Sequence, residues 1–282
     1  MATRRAYDTT AYRYPRERAI LALTLVLVLL VIALTATATI CLSVVFVLGA
    51  VAVSYAMNRA HHRALLAQAR EITPQDTPRL AAIVAESAAR LQAKSVQVFV
   101  APGDTLNAYT FGLFSPKVVV LHSALLQVID EDHLRFILGH EMGHVRLGHT
   151  WLNSLVGGMA GIPSPFLGST LLAMAFLWWN RACEYSADRA GLLACGNPHQ
   201  AIGTLVRLAA GTEARSQADL ERVYRLLDAE DDHILGNLSE TLTTHPMMIR
   251  RIDALRDYAS SAEYRRLQAL VDQNVAGQGQ HR

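Results

Sequence analysis

From residue 19 to residue 58 the chain has no acidic or basic side chain, and this stretch limits its architecture more than any other feature. Residues 19–34 read AILALTLVLVLLVIAL and residues 40–57 read ICLSVVFVLGAVAVSYAM, separated only by TATAT. At 1.5 Å per residue these runs make helices of roughly 24 and 27 Å, near the ~30 Å of a hydrocarbon core once flanking residues are added. The expectation is a transmembrane helical hairpin over 19–57. Arg4, Arg5, Arg13, Arg16 and Arg18 precede it, Arg59, Arg63 and Arg70 follow it, and the turn carries no arginine. Positive-inside logic then puts both ends in the cytoplasm, for a multi-pass protein of the plasma (inner) membrane with a bilayer as one partner. A cleaved secretory signal ending at Ala36-Thr37-Ala38 is the competing reading, and the second apolar run directly behind it argues against cleavage.

Apolar residues make up 51% of the 282-residue chain and charged residues 18%, which excludes a disordered chain. A net charge of +2 gives no basic field for nucleic acid, so no nucleic-acid partner is expected. Cys41, Cys183 and Cys195 are too few and too irregularly spaced for a disulfide framework.

Beyond a cytoplasmic segment 1–18 and the hairpin, residues 58–78 read as a linker punctuated by Pro74 and Pro78. Thr77 is placed to cap a helix starting at Pro78, with Leu80, Ile83, Val84, Ala88 and Leu91 at helical spacing. Val96, Val98 and Val100 alternate as in a strand, Lys117 to Leu121 forms a second, and Asn107 to Phe111 a third. From Glu131 on, the pattern is helical, and residues 275–282 read as a frayed tail. The fold class expected is therefore α+β, mostly helical, with a small β-sheet in a domain spanning 79–274.

The chemistry sits at His140-Glu141-Met142-Gly143-His144. Two histidines four apart on a helix share a face and can bind one zinc ion through imidazole nitrogen, while the glutamate between them can reach a water at that ion. The carboxylate then acts as general base in attack on a peptide carbonyl. Asp130 is placed to cap this helix, and Gly139 and Gly143 would let a second backbone approach closely. A third protein ligand is required, and His149, Cys183, Glu184, His199 and His245 are the candidates downstream. Glu184 is favoured, because Glu184-Tyr-Ser-Ala-Asp188 sets two carboxylates on one helical face and Ser186, Ala187 and Gly191 are small enough for close packing. Glu184 would bind zinc and Asp188 would hydrogen-bond the far nitrogen of a liganding histidine. His149 reads as a surface residue or a support behind a ligand.

In these motifs the sequence resembles the membrane-associated gluzincin peptidases that include HtpX and the CaaX prenyl proteases. The matching blocks are His140 to His144, Glu184 to Asp188 followed by Arg189-Ala-Gly191, and Thr244-His245-Pro246 with Arg250 and Arg251 behind it; Asn107-Ala-Tyr with Lys117 to Leu126 is a softer match. The resemblance covers residues 75–258 and implies a zincin-like (gluzincin) catalytic domain. It implies one zinc ion on His140, His144 and Glu184, Glu141 as general base, and Asp188 behind the ligands. It further implies that His245 stabilises the oxyanion and that Asn107 and Ala108 pair with an extended peptide. The activity implied is zinc metalloendopeptidase action on protein or peptide substrates, membrane proteins among them, in quality control or processing. A catalytically silent scaffold and prenyl-peptide processing are the alternatives.

Residues 147–180 form a second stretch without acidic residues and are broken near Pro163 and Pro165. A single crossing here would leave His144 and Glu184 some 30 Å apart, on opposite sides of the bilayer, and they could not share an ion. Two short helices that dip into or lie against the membrane are expected instead, with Trp178 and Trp179 at the interface. His61 and His62 read as a solvated basic collar, and 228–232 as a solvated acidic turn.

Overall fold

The computed structural model describes residues 7–39, 42–93, 96–112, 115–156, 167–210 and 246–279. Mostly helical, they carry one four-stranded sheet in the order β1-β2-β4-β3. The valine-rich segments β2 (Val96–Ala101) and β4 (Lys117–His122) pair in parallel, Val98 opposite Val119, while β3 (Ala108–Phe111) runs antiparallel to β4 on the sheet edge. Strand β1 is only Arg70–Glu71, antiparallel to β2, too short to show an alternating pattern and hidden within the expected linker.

Helix α1 (Glu17–Ala38) is, among the described residues, the one helix long and apolar enough to cross a membrane. It leaves Val26, Leu29 and Leu34 at least 60% exposed. The apolar part of α2 (Leu42–Leu66), residues Leu42–Val53, is shorter than a span. The rest of α2 runs into the expected linker and packs Leu65 and Leu66 on the sheet beside Phe99 and Val118. His62 therefore stacks on Phe111, ring centroids 3.7 Å apart, instead of joining a solvated collar.

Helix α3 (Pro78–Leu91) begins at the expected proline, but Thr77 does not cap it: its hydroxyl donates to the Thr73 carbonyl at 3.2 Å. A six-residue helix α4 (Ser123–Val128) follows β4. Asp130 does cap α5 (Glu131–Leu147), accepting from the His133 N–H at 3.0 Å. Gly148 ends α5 at φ +81, a left-handed conformation open to glycine at little cost, and the chain turns at once into α6 (His149–Val156).

Helix α7 (Leu167–Cys195) carries the second arm of the 147–180 stretch straight into the site. Its 29 residues, about 43 Å at 1.5 Å each, run unbroken from the apolar arm through Glu184. The expected break at Pro163 and Pro165 lies outside the described residues, as does the acidic turn 228–232. Trp178 is 47% exposed, but Trp179 is buried with Ile20 and Leu152, so only one of the pair is free to meet an interface. Helices α8 (Pro198–Ala210), α9 (Pro246–Ser260) and α10 (Ala262–Gly279) complete the fold, and α10 extends through much of the expected frayed tail.

The N-terminal segment before α1 packs into the domain. Tyr7 and Tyr12 join the main core, and the Tyr14 N–H donates to Ser186 Oγ at 2.8 Å. The Arg189 guanidinium lies over the Tyr258 ring at 4.2 Å and donates to the Arg13 carbonyl.

Helices α5 and α7 meet through small residues. A Cβ on Gly139 would stand 2.3 Å from the Ala194 Cβ and 3.0 Å from the Gly191 Cα, and one on Gly143 would stand 2.6 Å from the Ala190 Cβ. Gly139→Ala is expected to destabilise the fold by about 1–3 kcal/mol, overpacking outweighing the ~1 kcal/mol of helix propensity that alanine adds. Gly49→Ala, inside α2 where a Cβ meets nothing within 4 Å, gains the propensity without overpacking and serves as the control that is not destabilised. Melting temperatures of the two variants in detergent check this.

Candidate metal centre

The Gly139 and Gly143 face of α5 brings the neighbouring turn of α7 against His140 and His144. Nε2 of His140 and Nε2 of His144 are 3.2 Å apart. Glu184 closes the triangle, Oε2 at 3.5 Å from His140 Nε2 and Oε1 at 3.4 Å from His144 Nε2. An ion bonded at about 2.0–2.1 Å to three ligands at tetrahedral angles needs them about 3.3–3.4 Å apart, so these residues fit a tetrahedral metal with one position left for water or substrate. His199 is exposed at the start of α8 and does not belong to the triangle, nor does Cys183.

The far nitrogens are held from behind. Asp188 Oδ1 lies 3.0 Å from His140 Nδ1, and His149 Nδ1 lies 2.9 Å from His144 Nδ1. Arg251 on α9 binds Asp188 with two nitrogens, at 2.7 and 2.6 Å, and reaches Glu184 Oε2 at 2.9 Å. Burial would push the Glu184 and Asp188 carboxyls up, but Arg251 first, then the histidines, holds both below their ordinary values, Glu184 far below. Burial also disfavours a charged His140, yet Asp188 and Glu184 outweigh it and raise the ring to about 10. The centre therefore favours positive charge at the point where the three ligand atoms converge.

Glu141 is buried beside the triangle, and the Thr110 hydroxyl of β3 reaches its Oε2 at 2.5 Å. A cleft of about 490 Å³ runs along β3 past the triangle, lined among others by Asn107, Ala108, Thr110, Met248 and Arg251. The main chain of Asn107 is already engaged: its N–H donates to the Thr105 carbonyl, and its carbonyl accepts from the His122 N–H at 3.0 Å. Hydrogen-bonded pairs alternate along an antiparallel ladder, so Asn107, Tyr109 and Phe111 face β4 while the main chains of Ala108 and Thr110 face away from it. Of the two residues expected to pair with a peptide, Ala108 presents the free edge and Asn107 does not.

The structure thus gathers His140, Glu141, His144, Glu184, Asn107 and Ala108 along one cleft, with Asp188 buried behind His140; His245 lies outside the described residues. In the sequence Thr110 reads only as a strand residue, and Arg251 only as part of the third matching block, with no role at the site. A signal existed for the latter, since Arg251 stands three residues after Met248 and four before Leu255, on the apolar side of α9.

Comparison with known proteins agrees with this geometry. Residues 74–259 match the profile of Peptidase family M48, well over half of the chain. The plastoglobule-localized metallopeptidase 48 of Arabidopsis thaliana is 28% identical over 201 residues, covering 66% of this chain. Only 58% of that longer protein is spanned. Two proteins named protease HtpX homolog are similar over more of their length. The one from Bifidobacterium longum is 24% identical, with 78% of this chain and 83% of the relative covered. The one from Kineococcus radiotolerans is 27% identical, with 77% and 87% covered. The kinship expected from the HEMGH and ExxxD blocks is thereby met, and the chain belongs to Peptidase family M48, whose members are metallopeptidases.

Proposed function

We propose that the protein is a membrane-anchored zinc metalloendopeptidase that cleaves protein or peptide substrates, membrane proteins among them, in quality control or processing. The observation that carries this reading is the triangle of His140, His144 and Glu184 atoms, 3.2–3.5 Å apart, with Glu141 beside it. Zinc bound there would act as a Lewis acid and lower the pKa of a water at its open position toward neutrality.

The chain's own groups account for the remaining steps. Glu141 takes a proton from the attacking water and delivers it to the leaving amine, while Thr110 holds its carboxylate in place. The free edge of β3 at Ala108 and Thr110 supports strand addition by an extended peptide, which would lay the scissile carbonyl across the triangle. His245 keeps the oxyanion role that the family resemblance implies.

The span-length helix α1 would be the anchor, and a return through α2, whose charge-free run continues past Val53 to Asn58, would leave both ends and the catalytic domain on the cytoplasmic side of the inner membrane. The arginines on both flanks and their absence between the runs support that topology. A reporter fused to the C-terminus and active only outside the cytoplasm would contradict it.

Glu141→Gln is expected to lower peptide hydrolysis by about 10²- to 10⁴-fold while metal content stays at wild-type level. Unchanged turnover in this variant would remove the mechanism. Arg251→Met leaves Glu184 and Asp188 buried without their counter-charge, so the metal-free variant should lose about 3 kcal/mol or more. Zinc, itself a counter-charge, should raise the melting temperature of Arg251→Met more than that of wild type. Thermal unfolding with and without zinc checks the sign.

A further inference from the structure

Behind His144 the hydrogen bonds continue in a direction that the catalytic reading does not use. An imidazole bound to metal through Nε2 carries its proton on Nδ1, so the 2.9 Å contact makes His149 Nδ1 the acceptor. His149 then bears its own proton on Nε2, which points at Glu17 Oε1, 3.2 Å away. The Glu17 carboxylate also accepts from Arg13 and from the Ser186 hydroxyl. Both Glu17 and His149 are only 2% exposed, and Trp179 meets the His149 ring edge-on with centroids 6.0 Å apart. Every donor and acceptor from Glu17 to His144 therefore has one assignment.

Glu17 is also the first residue of α1, the helix apolar enough to cross a membrane. We propose that His149 and Glu17 are positioning residues of the metal centre, so that the N-terminal membrane helix holds one ligand histidine in its metal-binding tautomer. Asp188 with Arg251 serves His140 from one side, and His149 with Glu17 and Arg13 serves His144 from the other. The inference rests on the zinc reading of His140, His144 and Glu184 and adds to it a dependence of metal affinity on the membrane helix.

A different occupant of the same place is conceivable, because ligand atoms of Glu17, His149 and Cys183 lie within 4.8 Å of one another. A second cation there would have to replace the proton on His149 Nε2. It would also have to share Glu17 Oε1 with the Arg13 guanidinium, and this repulsion favours the proton.

The test is zinc affinity of the full-length protein in detergent, by competition with a chromophoric chelator, together with zinc stoichiometry. His149→Phe fills the space without an acceptor and is expected to weaken zinc binding about 10- to 100-fold. His149→Gln, whose amide oxygen can accept from His144 Nδ1, should recover most of that loss. Glu17→Gln should fall between wild type and His149→Phe, with KM little changed and kcat lowered. A role in packing alone predicts the opposite order, with phenylalanine tolerated and no rescue by glutamine, and would overturn the proposal. So would two zinc ions per wild-type chain falling to one in Glu17→Gln, which would assign the place to a second ion. Wild-type zinc that is retained unchanged in His144→Ala would fail the metal reading itself and take this inference with it; zinc lost in His144→Ala but kept in His149→Phe fails this inference alone.

Discussion

Close contact between α5 and α7 is the constraint on which the centre depends. His140 and His144 each follow a glycine that faces α7, and Glu184 lies one turn before the Ala187 that packs against Gly143. Metal–ligand distances tolerate about 0.2 Å of error, whereas a methyl group forced between two helices moves them by more than that. The glycine and alanine surface therefore sets the 3.4–3.5 Å separations across the triangle, and local helix geometry sets only the 3.2 Å between the two histidines.

Charge is the second constraint. Glu141 and Glu184 line the cleft with Asp188 buried behind His140, and Arg251 is the side chain that binds two of the three. Buried carboxylates without such a partner would take up protons, so the arginine keeps them ionised and leaves the convergence point attractive to a cation. Around this core the chain returns three times from distant positions. β3 brings Thr110 to the general base, α9 brings Arg251 to the carboxylates, and the first residue of α1 with the segment before it brings Glu17 and Arg13 behind His149.

The parts legible in the sequence were those written within single helices. HEMGH and the Glu184–Asp188 pair are four-residue spacings, and the small residues that let the two helices approach repeat at the same interval. Three supports were not legible because their partners are far apart: Thr110 is 31 residues from Glu141, Arg251 is 63 from Asp188, and Glu17 is 132 from His149. Hydropathy alone does not mark a helix end at the close of the 147–180 stretch. It reports where polarity changes, and α7 crosses that change at Asn180 without ending. It also could not tell which of Trp178 and Trp179 faces inward, since adjacent residues on a helix point about 100° apart. The free edge of β3 depended on which ladder pairs are hydrogen-bonded, and only the register Ala108↔Leu121 with the bond from His122 to Asn107 decides that.

X-ray absorption at the zinc edge of the purified full-length protein tests the central assignment most directly. The account predicts one zinc site coordinated by two imidazole nitrogens and carboxylate or water oxygens at about 2.0–2.2 Å, with no sulfur in its coordination sphere. A zinc–sulfur distance near 2.3 Å would move the ion to Cys183 and contradict the assignment of the metal to His140, His144 and Glu184.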